Sequence, residues 1–295
     1  MLTPSLVVPL LTPVTPDGAP DAAAIGRLVR FELGAGADGL FCLGSTGSFP
    51  MFGPDDRAAV VRAVRDAAGG EVPVWAGVGE AGTRLALRRV EEACEAGADA
   101  VVTLAPYYLL TDEAGLRQHF LAVLDRSPVP VYVYNIPILT GAAVPPRLLA
   151  ELAAHPRCVG LKDSSRDLAS FQDLLRAVCG VSGFRTYQGD ERLVAAALFL
   201  GASGAVLGLS NLAPELCREL VDAGLAQERD AALRAQGRLL ELYGIVRGLG
   251  DFRRLVHYGL SLRGVDVTEP PLPSPPLTDE ARCQVRAILQ RLDLI

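Results

Sequence analysis

One residue type is almost missing from this chain. Its 28 basic residues include a single lysine, Lys162, at the end of the apolar run CVGLKDSS (158–165). A chain that otherwise relies on arginine keeps lysine where arginine fails chemically. A guanidinium stays protonated, whereas an ammonium taken out of water can lose its proton and attack a carbonyl as the free amine. The plain alternative is a chance survivor paired with the neighbouring Asp163. Two further sequences hold groups of use to such a lysine. VYVYN (131–135) ends in Tyr134 and Asn135; the Tyr134 phenol can pass protons to and from a substrate held on the amine, while Tyr132 reads as a core residue. GSTGSF (44–49) offers hydroxyls and backbone N–H groups between glycines, a pattern able to hold a carboxylate.

These residues need a scaffold that brings three distant strand ends together. Short apolar runs at 6–11, 39–43, 73–77, 100–104, 131–135, 159–162, 185–189 and 205–209 alternate with amphipathic segments, among them 54–68, 83–96, 112–126, 167–179 and 214–223. Eight continuous apolar runs suit parallel strands covered on both faces. The expected fold is therefore a (β/α)8 TIM barrel over 1–224, with the active site at the C-terminal ends of its strands. An open doubly wound sheet is the alternative. GAGADGLFCLG (34–44), EAGADAVVTLA (95–105) and FLGASGAVLGL (199–209) repeat one unit of glycine helix stop, tight turn and strand. Residues 225–295 read as a C-terminal helical extension with a Pro-rich loop (269–280) and a last helix near 279–292.

Composition narrows the function. Net charge is −6, without a basic patch, which argues against nucleic acid. No apolar run is long enough to span a membrane, and the start of the chain lacks a basic signal region, so a cytoplasmic location is expected. The six cysteines have no paired spacing and read as small buried hydrophobes. His119, His155 and His257 are scattered, so no metal is expected; His119 falls on a helix, at its surface or at a contact. GVGEAG (77–82) fits a dinucleotide fingerprint, but Asp99 stands before the next strand, at the wrong end to bind a ribose. Glu91–Glu92 and Asp112–Glu113 read as solvated helix faces.

Taken in order, GSTG (44–47), APYY (105–108), YNIPILTG (134–141) and GLKDSS (160–165) resemble the dihydrodipicolinate synthase and N-acetylneuraminate lyase superfamily of pyruvate-dependent class I aldolases. The resemblance runs over nearly the whole chain. It implies an imine between Lys162 and pyruvate or another 2-keto acid, with no cofactor, and Tyr134 as proton shuttle. Ser45, Thr46 and Gly47 would hold the keto acid's carboxylate. In the synthase branch the hydroxyl at Ser45 links Tyr134 to a tyrosine of a neighbouring subunit, here Tyr108, in a homotetramer built as a dimer of dimers.

Two positions depart from the pattern. Synthases carry arginine where this chain has Leu139, and that arginine binds the carboxylate of aspartate semialdehyde. The loss points to a 2-keto-3-deoxy sugar acid or related 2-keto acid, with dihydrodipicolinate synthesis as the alternative. Ser48 stands where the family usually has glutamate. GDER (189–192) keeps only part of the acidic pair of sialate lyases. A barrel that binds a keto acid without turning it over is the third reading.

Overall fold

The computed structural model describes residues 4–295. Eight parallel strands close into a barrel in chain order: β1 (Leu6–Pro9), β2 (Gly39–Cys42), β3 (Val74–Gly77), β4 (Ala100–Leu104), β5 (Val131–Asn135), β6 (Cys158–Asp163), β7 (Arg185–Gln188) and β8 (Gly204–Val206). Six of the eight are buried at every residue, as strands with a packed lumen inside and helices outside must be. The outer ring comprises α1 (Ala22–Gly34), α2 (Pro54–Ala68), α3 (Thr83–Glu95), α4 (Glu113–Arg126), the pair α5 (Pro137–Thr140) and α6 (Pro146–Ala153), α7 (Leu168–Val178), α8 (Val194–Phe199) and α9 (Pro214–Leu225). Beyond it lie α10 (Arg229–Gly248), α11 (Phe252–Leu262) and α12 (Asp279–Arg291). No described helix is long and apolar enough to cross a membrane.

The repeated turn has one physical basis. Gly36, Gly97 and Gly201 all adopt positive φ. Each N–H bonds the carbonyl three residues back, to Leu33, Cys94 and Leu198. The following N–H reaches five back, from Ala37, Ala98 and Ala202 to Glu32, Ala93 and Ala197. This two-bond helix ending satisfies orphan carbonyls and aims the chain into the next strand. Side chains of Asp21, Asp112 and Asp167 cap the N-termini of α1, α4 and α7.

Two strands stop two or more residues before their apolar runs end. Leu11 N–H bonds Oδ1 of Asn211, 2.9 Å, so a side chain ends the β1 ladder. Beyond β8, residues 208–211 form a 3₁₀ turn, with Leu209 buried by packing. One expectation, that all six cysteines are buried, needs correction. Cys179 and Cys283 are exposed, and Cys94 is only half-buried. Cys179 is the C-cap residue of α7, and Cys94 and Cys283 sit within α3 and α12. His119 lies at a contact, 1 % exposed, with Nδ1 3.0 Å from Thr83 Oγ1 and Nε2 3.1 Å from the Leu104 carbonyl. Burial lowers its pKa to about 4.

GVGEAG serves the barrel. A Cβ on Gly77 would lie 1.9 Å from the Leu43 carbonyl oxygen, so two strand ends meet here at backbone distance. Glu80 is buried and takes Arg57 at 3.0 Å and Arg89 at 2.9 Å. Inside the lumen, Trp75 stacks on Tyr132 with ring centroids 3.9 Å apart, and Tyr187 meets Trp75 edge-on at 5.4 Å. Each such pair adds about 0.5–1.5 kcal/mol beyond its burial. These rings form a dry floor.

Glu32 in α1 is fully buried, and neither carboxyl oxygen has a hydrogen-bond partner. Burial, reinforced by the charge of Glu215 and opposed by Arg263, raises its pKa well above the usual value. A carboxyl with a raised folded-state pKa stabilises the fold below its unfolded value, and that stability is lost as pH rises toward the folded value. Glu32→Gln removes the titration at nearly constant shape. Its Tm should match the parent near pH ~4 and exceed it by a growing margin from pH ~5 to ~8. Thermal melts across that range check this; a constant offset at all pH values would contradict it.

Candidate active site

A cleft of about 380 Å³ opens at the C-terminal ends of the strands. Lys162 and Tyr134 are register partners on neighbouring strands β6 and β5. Parallel partners put their side chains on the same face, so both point into the mouth of the barrel. Lys162 is 5 % exposed, with its Nζ 4.1 Å from the Tyr134 ring centroid and 5.2 Å from that of Phe41. Among the described residues it makes no ion pair. Asp163, the partner of the plain reading, alternates to the other face. It accepts bonds from Asn135 Nδ2 (2.6 Å) and Ser165 Oγ (2.8 Å), and burial raises its pKa. The amine is thus held by rings and left without a carboxylate.

One glycine makes room for the lysine side chain and another for the Tyr132 ring. A Cβ on Gly160 would fall 2.7 Å from the Tyr132 ring, and one on Gly189 would fall 3.0 Å from Lys162 Cε and 2.2 Å from Ser164 Oγ. Ser164 Oγ in turn lies 3.5 Å from the Tyr134 hydroxyl. Neither Ser164 nor Gly189 stood out in the sequence, because nothing in a lone Ser or Gly marks a close approach.

Ser45 and Thr46 line the same cleft from the loop after β2. Ser45 Oγ is buried with no partner, a donor left open. Gly47 does not line the cleft; it anchors the loop. Its carbonyl accepts Thr12 Oγ1 at 2.9 Å, and a Cβ there would lie 2.8 Å from the Leu10 carbonyl. Ser48 adopts the left-handed conformation, φ 54°, and is buried. Its Oγ accepts Arg253 Nη1 at 3.3 Å, so the loop is tied to the C-terminal helices.

Leu139 lines the cleft and is 58 % exposed. Tyr108 does not line it. It stands 89 % exposed beside Leu109 and Leu110, in the loop after β4, with φ 72°. Tyr107 packs inward, edge-on to Phe49 at 5.8 Å.

The sequence reading placed the whole site in 1–224 and missed one wall. Tyr243, Arg247, Asp251, Phe252 and Arg253 of the C-terminal extension line the cleft, together with Arg166, Asp190 and Glu191. Arg247 stacks 3.9 Å over Phe252, and its Nη2 lies 3.9 Å from Glu191. Leu139 therefore does not leave the cleft without guanidinium groups. Arg166 comes from the loop after β6, and Arg247 and Arg253 come from α10 and α11, where they read as ordinary helix positions that no motif marks.

The sequence profile of the dihydrodipicolinate synthetase family matches residues 3–292. A 4-hydroxy-tetrahydrodipicolinate synthase of Acidiphilium cryptum is 34 % identical over 289 residues, covering 98 % of both chains. An uncharacterized DapA-like lyase of Halobacterium salinarum is 36 % identical, covering 98 % of this chain and 94 % of its own. The crystal structure of YagE, a prophage protein of the dihydrodipicolinic acid synthase family from E. coli K12 in complex with pyruvate, is 31 % identical. It superposes with a TM-score of 0.93 over 100 % of both chains. The chain is a TIM-barrel lyase and belongs to the dihydrodipicolinate synthetase family.

Proposed function

We propose that the chain is a class I aldolase that makes or breaks a carbon–carbon bond between pyruvate and an aldehyde through an imine on Lys162. The buried, unpaired amine beside Tyr134 carries this reading. The free amine attacks the keto carbon of pyruvate, and loss of water from the carbinolamine leaves an imine. Removal of a proton from the methyl of the protonated imine gives the neutral enamine, whose carbon attacks the aldehyde. Tyr134 supplies the proton that the new alkoxide takes up; in cleavage it removes that proton and the same bond breaks. Ser45 and Thr46 hold the carboxylate of the keto acid, fixing the keto carbon above the amine. Hydrolysis of the final imine restores Lys162. No step needs a metal or cofactor.

The aldehyde is the product of a 2-keto-3-deoxy sugar acid. Leu139 supports this, since an apolar side chain cannot clamp the carboxylate of aspartate semialdehyde. The names of relatives such as that of Acidiphilium cryptum favour the synthase as the second reading. The exposed tip at Tyr108, Leu109 and Leu110 is a contact for another copy of the chain in a homotetramer, through which Tyr108 approaches a neighbour's site.

Pyruvate with borohydride should trap one adduct, at Lys162, and Lys162→Ala should lose both adduct and turnover; intact-mass and peptide mapping read this directly. Turnover that survives in the alanine variant would remove the imine mechanism. Tyr134→Phe should lower kcat by ~10²–10⁴, the range for a positioned acid–base group. Near-parental turnover would return Tyr134 to a packing role. Leu139→Arg should shift the kcat/KM ratio toward aspartate semialdehyde by about 10–100-fold, the worth of one charge-assisted bond. If the parent already handles aspartate semialdehyde better than any sugar-derived aldehyde, the synthase reading replaces the aldolase one.

A further inference from the structure

Charge around the cleft does not cancel evenly. Three carboxylates line it, and each is already engaged. Asp190 accepts from Arg192 three times, from the backbone N at 2.9 Å, Nε at 2.9 Å and Nη2 at 2.7 Å. Asp251 takes Arg253 through Nε at 3.0 Å and Nη2 at 2.8 Å. Glu191 accepts the Leu209 N–H at 3.2 Å and lies 3.9 Å from Arg247. Arg166, on the loop four residues after the lysine, is the least committed of the lining guanidiniums. It lines the cleft, is exposed, and among the described residues makes no hydrogen bond or ion pair; its charge acts on Asp190, whose carboxyl Arg192 already holds.

The backbone at Arg166 argues against an idle surface residue. Its φ is 66°, a left-handed conformation that costs an arginine about 1–2 kcal/mol and a glycine almost nothing. The loop holding it there is braced, with Ser165 Oγ donating to Asp163 and the Asp167 N–H donating back to Ser165 Oγ at 3.3 Å. The turn itself would be better served by glycine, so the side chain is what the position retains.

We propose that Arg166, with the exposed edge of Arg247 in the same lining, binds an anionic group at the far end of the aldehyde half. The preferred substrate is then a 2-keto-3-deoxy acid with a second oxyanion at its other terminus, a carboxylate or a phosphate ester. Asp190 and Glu191, fixed by their partners, suit hydroxyls between the two ends. The inference rests on the aldolase reading and narrows its substrate class. It also separates this chain from the synthase pattern. The distal anion is met from the loop after β6 and from α10, while the wall at Leu139 stays apolar.

Three aldehydes that differ only at the far carbon provide the test, each condensed with pyruvate. Glyceraldehyde is neutral, tartronate semialdehyde carries a carboxylate, and glyceraldehyde 3-phosphate carries a phosphate. One of the two anions should exceed glyceraldehyde in kcat/KM by about 10–100-fold, and which one identifies the oxyanion. Arg166→Gln should reduce that anion-to-neutral ratio by at least ~10-fold, and Arg166→Lys should restore part of it. The advantage should also shrink as KCl is raised, because the pair is open to solvent. A ratio near one in the parent, or an equal loss on charged and neutral aldehydes in Arg166→Gln, overturns the proposal. Borohydride trapping with pyruvate alone separates the two failures. An adduct with no anion preference removes only the role of Arg166, and no adduct removes the imine reading together with it.

Discussion

The register between β5 and β6 is the constraint on which the site depends. Because parallel neighbours in register share a face, pairing Tyr134 with Lys162 places phenol and amine side by side. A slip of one residue would turn the lysine outward and bring Asp163 into the mouth. Several features hold that register. Asn135 reaches across to Asp163, and its own Oδ1 accepts the Val144 N–H at 3.0 Å. Gly160 leaves room for the Tyr132 ring, and Tyr132 stacks on Trp75 across the lumen. The aromatic floor therefore does two things at once. It fills the barrel beneath the lysine, and it keeps water from reaching the amine from below.

Strain gathers at the same end. Of the six non-glycine residues with positive φ among the described residues, Leu43, Ser48, Tyr108 and Arg166 lie in loops that follow β2, β4 and β6. Such conformations persist only where surroundings over-determine them. At Ser48 the bracing is visible, with the N–H bonded to the Ser45 carbonyl at 3.2 Å and the hydroxyl to Arg253. The glutamate usual at this position is replaced by a short hydroxyl, and an arginine from α11 reaches in to meet it. Held by Thr12 on one side and Arg253 on the other, the loop keeps the unpaired Ser45 hydroxyl aimed at the cleft.

The parts of this architecture that were legible in sequence are those written in local physics. Helix stops at Gly36, Gly97 and Gly201 repeat the same two hydrogen bonds, so their spacing announced recurring βα units. Lys162 was legible through composition, since one lysine among arginines needs a reason. The end of β1 was not, because a side chain 200 residues away takes the Leu11 N–H. Arg247 and Arg253 were equally hidden. On helices they look like ordinary solvated positions, and only the packing of α10 and α11 against the barrel turns them toward the mouth. Gly189 and Ser164 required knowing where Lys162 Cε would pass.

That difference follows the division of labour in the cleft. In the proposed mechanism the keto-acid end sits on strand termini and the short loop after β2, elements whose geometry the barrel dictates. The proposed aldehyde end draws on Arg166 after β6, Asp190 and Glu191 after β7, and the C-terminal helices. None of those positions is needed to close the barrel, so their chemistry can vary while Lys162 and Tyr134 stay in place. Leu139 illustrates the consequence. Removing a guanidinium from α5 does not make the cleft neutral, because arginines on other elements occupy its wall. Specificity must then be read from the summed pairing of charges across the mouth, where each carboxylate already has a partner and Arg166 is held by no hydrogen bond among the described residues.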